Sequence, residues 1–524
     1  MSAADTPINE IDDPLGRFRA WLKTAKLQEK PHQINGMKFC IEREINPDPR
    51  WDVRGGIIAD EMGLGKTILM LGTIVSNFRG VDGRTSTLIV VPPALLAQWN
   101  DIIIKFLGHE PLVYHGVGTK LITREQLVSA PIVLTTYGMT ISRKSKSRTD
   151  TDTDTCLLTS IKWNRLIMDE AHHIRNMSTG TFAAAFKIQA NIRWFATGTP
   201  IQNDTKDVVA LFCALRLHNV INDGSCLLED LVEHFVLRRT KESVGIKLPA
   251  LNEELIVVPW ESKEEEHLSR QIHSCVSFSD VTVKTVDIAI KCITGTILPV
   301  LIRARQSCIF PQLISEAVER LKDQQKIPRS VQFATQVKTC SKIMAVSRHI
   351  KQRIGNRRRK IVFCHYRGEI DLLFALLQKW GISVAILDGR STKRSKKSTL
   401  AYSINKGQFA RVCKSWNKRS EIYDLIAPFI GPQVILVQIN TACEGLNLQH
   451  FQEIYFTSPH WNPSVEDQAI ARAHRIGQEE KVNVFRFIMS NFGKDGKDGI
   501  TIDKHCLNIQ KAKRELMALV NNNL

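Results

Sequence analysis

The stretch "GGIIADEMGLGKTI", Gly55 to Ile68, sets a glycine loop with a lysine and a threonine between two apolar runs. Gly63 and Gly65 carry no Cβ, so backbone N–H groups in this loop can converge on an anion. Lys66 adds a point charge and Thr67 a hydroxyl suited to a metal. This is the chemistry of a nucleotide-phosphate site. Two strict patterns fail, however. Asp60 stands five positions before Gly65, where GxxxxGK[ST] needs glycine, and Ile68 stands where the third glycine of GxGxxG belongs. Taken alone, the stretch also reads as a plain strand, turn and helix.

The flanking sequence favours a layered α/β domain. An apolar strand precedes the loop and a helix from Thr67 to Phe78 follows it. "STLIVVPP", "PIVLTTY", "RLIMDEAHH" and "IRWFATGTP" then read as short buried strands separated by helices, the pattern of a parallel sheet. Ser142 to Ser160 is polar and low in complexity and reads as a surface loop. Residues 207 to 329 turn mostly helical. Beyond them "KIVFCHY", "SVAILDG", "PQVILVQI" and "EIYFTS" read as four more buried strands, the start of a second α/β domain.

At 524 residues and 43% apolar content, two or three packed domains are expected. The acidic, polar opening "MSAADTPINEIDDP" has no signal-peptide pattern, and no apolar run approaches a membrane span, so an intracellular protein is expected. The twelve cysteines contain no CxxC pair, which argues for reduced thiols and for metal chemistry carried by a nucleotide. Net charge is +18, and residues 341–420 hold 20 basic side chains against three acidic ones, a local balance of +17. Its clusters, "KQRIGNRRRK" from Lys351, "GRSTKRSKK" from Gly389 and "RVCKSWNKRS" from Arg411, are each dense enough to neutralise several phosphates of a polyanion. A solvated face or an import signal is the plainer alternative.

In order along the chain, "PHQINGMKF", "ADEMGLGKT", "TLIVVPPALLAQW", "IMDEAHHIRN", "ATGTPIQN", "IVFCHYRGEIDLL", "VQINTACEGLNLQ" and "WNPSVEDQAIARAHRIGQ" resemble the helicase motifs of the SWI/SNF-related ATPases of helicase superfamily two. "HFVLRRTK", "IRARQSCIFPQLI" and "TIDKHCLNIQKAKREL" resemble that family's linkers and closing helix, so the likeness runs from about Lys30 to Val520. The resemblance implies two RecA-like parallel-sheet lobes with helical insertions between them, ATP and Mg²⁺ in the cleft, and double-stranded DNA across both lobes. The domains expected are a tail over 1–24, a first lobe over 25–206, a helical insertion and linker over 207–329, a second lobe over 330–490 and a closing helix over 491–524.

The family's roles carry over residue by residue. Lys66 would neutralise the β and γ phosphates, Thr67 would hold Mg²⁺ with Asp169, and Glu170 would position or deprotonate the attacking water. Gln33 would pair with the adenine edge, and Gly63 and Gly65 would cradle phosphate. Arg472 and Arg475, three apart in "AIARAHRIGQ", would share a helix face and act as arginine fingers. His172, Thr197, Gly198, Thr199 and Gln468 are expected to couple nucleotide state to DNA, and His172 and His474 to make hydrogen bonds and not to bind metal. Lys393, Arg394, Lys396 and Lys397, and secondarily Arg357, Arg358 and Arg359, are the candidate DNA contacts.

The chain departs from the family where Cys443 and Glu444 replace glycine-rich sequence in "ACEGLNL", and in a long connection over 402–433. The expected activity is that of a translocase on duplex DNA, remodelling or displacing complexes such as nucleosomes or RNA polymerase. The expected location is the nucleus or another site of DNA metabolism, with viral origin open. Its rivals are a strand-separating DNA or RNA helicase, suggested by the letters "DEAH", and a non-hydrolysing DNA-binding scaffold.

Overall fold

The computed structural model describes residues 11–78, 85–141, 156–198, 206–224, 226–274, 298–325, 337, 339–388, 433–439, 448–493 and 498–522. The chain divides into two compact units between Lys247 and Leu248. In the first, β1 (Arg54–Ile58), β2 (Thr87–Val91), β3 (Leu112–Tyr114), β4 (Ile132–Thr136), β5 (Lys162–Asp169), β6 (Gln189–Ala196) and β7 (Val236–Leu237) form one sheet in the order β3-β4-β2-β5-β6-β1-β7. Every described pairing in it is parallel. Helices cover both faces, which is why β2 and β4 are buried along their length. Within β5, Leu166 and Met168 enter one core and Ile167 the other, as a period of two requires.

Glycine at position 55, the second residue of β1, has a steric cause. Gly55 lies at φ +104°, and a Cβ there would drive into the backbone of Arg193 on the paired strand β6. Arg193 itself is buried without a carboxylate partner among the described contacts. Its guanidinium donates to the carbonyls of Ala185 (3.3 Å), Ile188 and Ala214 (3.2 Å). Those carbonyls end the helices Gly180–Lys187 and Lys206–Ala214, so one side chain satisfies the orphan acceptors of two helix termini.

In the second unit, β8 (Leu251–Val258), β9 (Lys360–Cys364), β10 (Val384–Leu387), β11 (Val434–Gln438), β12 (Glu453–Phe456) and β13 (Val482–Met489) form a second parallel sheet, ordered β10-β11-β9-β12-β13-β8. Of these six, sequence patterning indicated the four from β9 to β12. β8, "LNEELIVV", is an edge strand whose exposed face carries acids, so it does not read as buried. β13, "VNVFRFIM", contains Arg486, a charge tolerated inside because its guanidinium donates to Glu466 Oε2 (2.8 Å) and pairs with Glu253.

Two organisational expectations change. The span 207–329 is not one helical insertion: β7 completes the first sheet, β8 joins the second, and the unit boundary falls between them. Leu157–Ser160, expected as loop, is a helical turn. Leu158 is buried in the core and its carbonyl accepts from the Trp163 indole at 2.9 Å; residues 142–155 lie outside the described part. No described helix is long and apolar enough to cross a membrane.

Candidate functional site

In the first unit the motif residues collect at the carboxyl edge of the sheet, where parallel α/β sheets expose their loops. The loop after β1 leads into helix Lys66–Ser76, with Gly65 as its N-cap in the left-handed region at φ +87° and Gly63 at φ +94°. A Cβ at Gly65 would come within 2.5 Å of Gln33 Nε2, so the adenine-reading candidate lies directly against the glycine loop. Lys66 Nζ donates to Asp60 O at 2.7 Å, which holds the ammonium at the mouth of the loop. Gly198 is beside it, since a methyl group there would strike Met62 Cγ at 2.8 Å and lie 3.5 Å from Lys66 Nζ. Thr197 is buried and its N–H donates to Ile58 O at 3.0 Å; Thr199 lies outside the described residues.

Asp169 is the last residue of β5 and Glu170 turns the chain out of it at φ +51°, a conformation that costs a non-glycine residue about 1–2 kcal/mol. Asp169 is 8% exposed, and burial and the neighbouring Glu170 charge push its carboxyl up to about 6. Hydrogen bonding to Trp99 and the Lys66 charge act in the opposite sense. His172 Nδ1 is 3.3 Å from Glu170 Oε2, and its ring stacks on His173 at 4.7 Å between centroids. His173 in turn lies 5.0 Å from the Tyr137 ring, whose hydroxyl donates to Asp169 O at 2.7 Å.

Sequence reading missed the groups that hold this arrangement. The Arg239 guanidinium, from "HFVLRRTK", grips both oxygens of buried Asp60 and donates to His32 O. Along the same segment, Ala59 N–H donates to Leu237 O and Glu61 N–H to Arg239 O, each at 2.8 Å. The segment recognised only as a family landmark is thus a brace for the glycine loop. Helix Pro31–Ile45, which carries Gln33, is anchored at its far end. There Glu44 accepts from Arg165 (2.8 and 2.6 Å), Trp194 (2.7 Å) and Asn77 (2.9 Å).

In the second unit, helix Pro463–Ala473 starts at the Asn462 cap and buries Gln468. Arg472 lies in its last turn, but Arg475 does not share the helix as the spacing suggested. The helix stops because Gln478 Nε2 donates to Ala473 O (3.3 Å) and Gln449 O (2.8 Å), closing the turn around Gly477 at φ +99°. His474 Nε2 makes a hydrogen bond of 2.7 Å with Pro249 O.

The basic segment is less of a surface than its count implied. Lys342 is fully buried against Asp503 and Ser458, and Lys360 is fully buried 3.3 Å from Glu453, which also takes Arg353. These acids come from outside 341–420, so a balance taken over that window counts internal ion pairs as field. Of the cluster at 357–359, Arg357 is exposed, whereas Arg358 and Arg359 are half-buried and Arg358 lies 3.8 Å from Glu480. Lys393, Arg394, Lys396 and Lys397, like Cys443 and Glu444, lie outside the described residues.

The donor set suits a metal-bound nucleotide: a glycine cradle that a Cβ would fill, a lysine at its mouth, a threonine at the helix start, and a buried acid pair across from them. The SNF2-related domain matches residues 32–313 and the helicase conserved C-terminal domain residues 341–477. The chain is 27% identical to a probable global transactivator of Orgyia pseudotsugata multicapsid polyhedrosis virus, covering 87% of this chain and 86% of that one. It is 23% identical to the DNA repair protein RAD5B of Arabidopsis thaliana, covering 89% of this chain and 45% of the plant protein, so it spans less than half that relative's length. A solved Sulfolobus solfataricus SWI2/SNF2 ATPase core in complex with dsDNA is similar at 21% identity and a TM-score of 0.37, over 89% of both chains. Since the first of these family matches covers more than half of the sequence, the chain belongs to the SNF2-related ATPases of helicase superfamily two.

Proposed function

We propose that this protein is a DNA-dependent ATPase that translocates on double-stranded DNA and remodels or displaces DNA-bound complexes, nucleosomes and RNA polymerase being the candidates. The observation that carries the reading is the assembly at the carboxyl edge of the first sheet, where Lys66, the glycine loop, Gln33 and the Asp169–Glu170 pair converge. Phosphoryl transfer needs positioned charge more than covalent chemistry, and this edge supplies it.

In this reading Gln33 reads the adenine edge, the Gly63–Gly65 loop and Lys66 hold the phosphates, and Thr67 and Asp169 hold Mg²⁺. The metal supplies charge neutralisation at the transferring phosphate. Glu170, turned out of the strand end beside Asp169, orients the water, and His172 beside it couples nucleotide state to DNA. Arg472 and Arg475 supply the second lobe's positive charge, and Gln468, Thr197 and Thr199 relay nucleotide state. The DEAH letters describe the metal and water acids and do not imply strand separation. Among the basic candidates, Arg357 and the cluster Lys393–Lys397 are assigned to phosphate contact. Action in the nucleus, or wherever a virus handles its DNA, follows from that substrate.

The test is ATP turnover measured side by side with no nucleic acid, duplex DNA, single-stranded DNA and RNA. Stimulation by duplex is expected. Stimulation by single strands or RNA alone would favour the strand-separating helicase, and no turnover under any condition would leave a DNA-binding scaffold.

A further inference from the structure

Asp169 is held at three atoms. Its backbone carbonyl accepts from Tyr137, Oδ1 accepts from the Glu170 N–H at 3.0 Å, and Oδ2 accepts from the Trp99 indole N–H at 2.8 Å. Trp99 comes from helix Leu96–Leu107, is 1% exposed, and packs in the core that also lines β5. We propose that Trp99 is a positioning residue for the metal-facing carboxylate, its indole N–H holding the Asp169 side chain in the single orientation that leaves a lone pair on each oxygen for the metal shell.

This inference rests on the assignment of Asp169 as a metal ligand. A carboxylate oxygen that loses its donor in a buried site turns towards another donor. The Lys66 ammonium is near enough for its charge to act on the Asp169 carboxyl. Without the indole N–H, the carboxylate would be drawn towards that ammonium, taking one group from the metal and the other from phosphate. Donors of this kind set metal affinity by about 10- to 100-fold.

The experiment measures binding of a fluorescent ATP analogue to the full chain, in EDTA and across a Mg²⁺ titration, for wild type, Trp99→Phe, Asp169→Asn and the double variant. Trp99→Phe is expected to raise the Mg²⁺ midpoint about tenfold, to leave affinity in EDTA within about twofold, and to add nothing in the Asp169→Asn background. A role in packing alone would weaken binding equally with and without Mg²⁺. An unchanged midpoint, or the same shift in the Asp169→Asn background, would overturn the proposal. If Asp169→Asn itself leaves the wild-type Mg²⁺ dependence intact, the metal-site reading fails and the Trp99 proposal with it, an outcome visible without the Trp99 variant.

Should Trp99→Phe not fold, ¹⁹F spectra of wild type carrying 5-fluorotryptophan at all nine tryptophans decide the matter. One resonance should move on adding Mg²⁺ to nucleotide-loaded wild type and stay fixed in Asp169→Asn. Nine stationary resonances refute the assignment.

Discussion

Arg239→Met removes the guanidinium that grips Asp60 and His32 O while keeping most of the side chain's apolar length. Asp60 is 1% exposed, and the Arg239 side chain 13%. Removing one partner of a buried pair costs about 3–5 kcal/mol because the remaining charge is left in low dielectric. The partial exposure of Arg239 places this pair near the lower end, about 3 kcal/mol. The loss should appear locally, as easier opening of the loop between Ala59 and Lys66, whose Ala59 and Glu61 amides are bonded to the Leu237 and Arg239 carbonyls. At about 1.4 kcal/mol per factor of ten, native-state hydrogen exchange of a peptide spanning residues 58–66 should accelerate about 100-fold. Nucleotide affinity should fall with it. Adding Asp60→Asn removes the stranded charge, so the double variant should recover most of the protection, whereas Arg239→Lys, which offers one ammonium in place of a fork, should fall between. Exchange that changes less than about threefold in Arg239→Met, or a double variant as labile as the single, would refute the brace.

Lys66→Ala and Glu170→Gln should each abolish ATP hydrolysis while duplex binding, measured on the same preparations, stays near wild type; turnover retained in Glu170→Gln would remove its role with water. Arg472→Ala and Arg475→Ala should lower turnover far more than nucleotide affinity, by about 10³-fold or more if they act as fingers, and normal turnover at saturating duplex would end that assignment. Arg357→Gln should reduce the slope of log affinity against log salt by about one unit, whereas Lys360→Met, which removes a buried partner of Glu453, should leave the slope alone; equal effects would mean the buried pair is not what the geometry indicates. Burial pushes His273 down to about 4 from 6.5, and its ring is held neutral, with Nδ1 on Ser269 O (2.7 Å) and Nε2 accepting from the Ile502 N–H (3.0 Å). The unfolded chain therefore binds more protons between those values, so stability is full above about pH 6.5 and falls as pH drops towards 4, by up to about 3 kcal/mol. Denaturation midpoints of the second unit at pH 7 and pH 5 check this, and His273→Gln should flatten the profile.

The sequence by itself was enough for the class of fold, and it named the motif residues that the structure collects at the carboxyl edge of the first sheet. Strands such as "TLIVV" and "IVLTT" are buried on both faces and so read as unbroken runs of β-branched and apolar residues, and Lys66, Asp169 and Glu170 sit in short contiguous motifs whose local geometry is set by glycine and by strand ends. What lay beyond it depends on pairing between distant residues. β8 carries acids and β13 an internal arginine, and neither reads as a core strand until Glu253, Arg486 and Glu466 meet across 233 and 20 positions of chain. The end of helix Pro463–Ala473, and with it the separation of Arg472 from Arg475, depends on a glutamine side chain that closes back onto the helix and on Gln449 from a different loop. Lys342 and Lys360 counted as surface charge because composition cannot see that Asp503 and Glu453 fold onto them. Trp99 and Arg239 were quoted in recognised motifs, yet their tasks appear only once Asp169 and Asp60, 70 and 179 positions away, are brought within hydrogen-bond distance. Periodicity reports which face a residue shows to the core; the partner that makes a buried charge tolerable is a property of the folded chain.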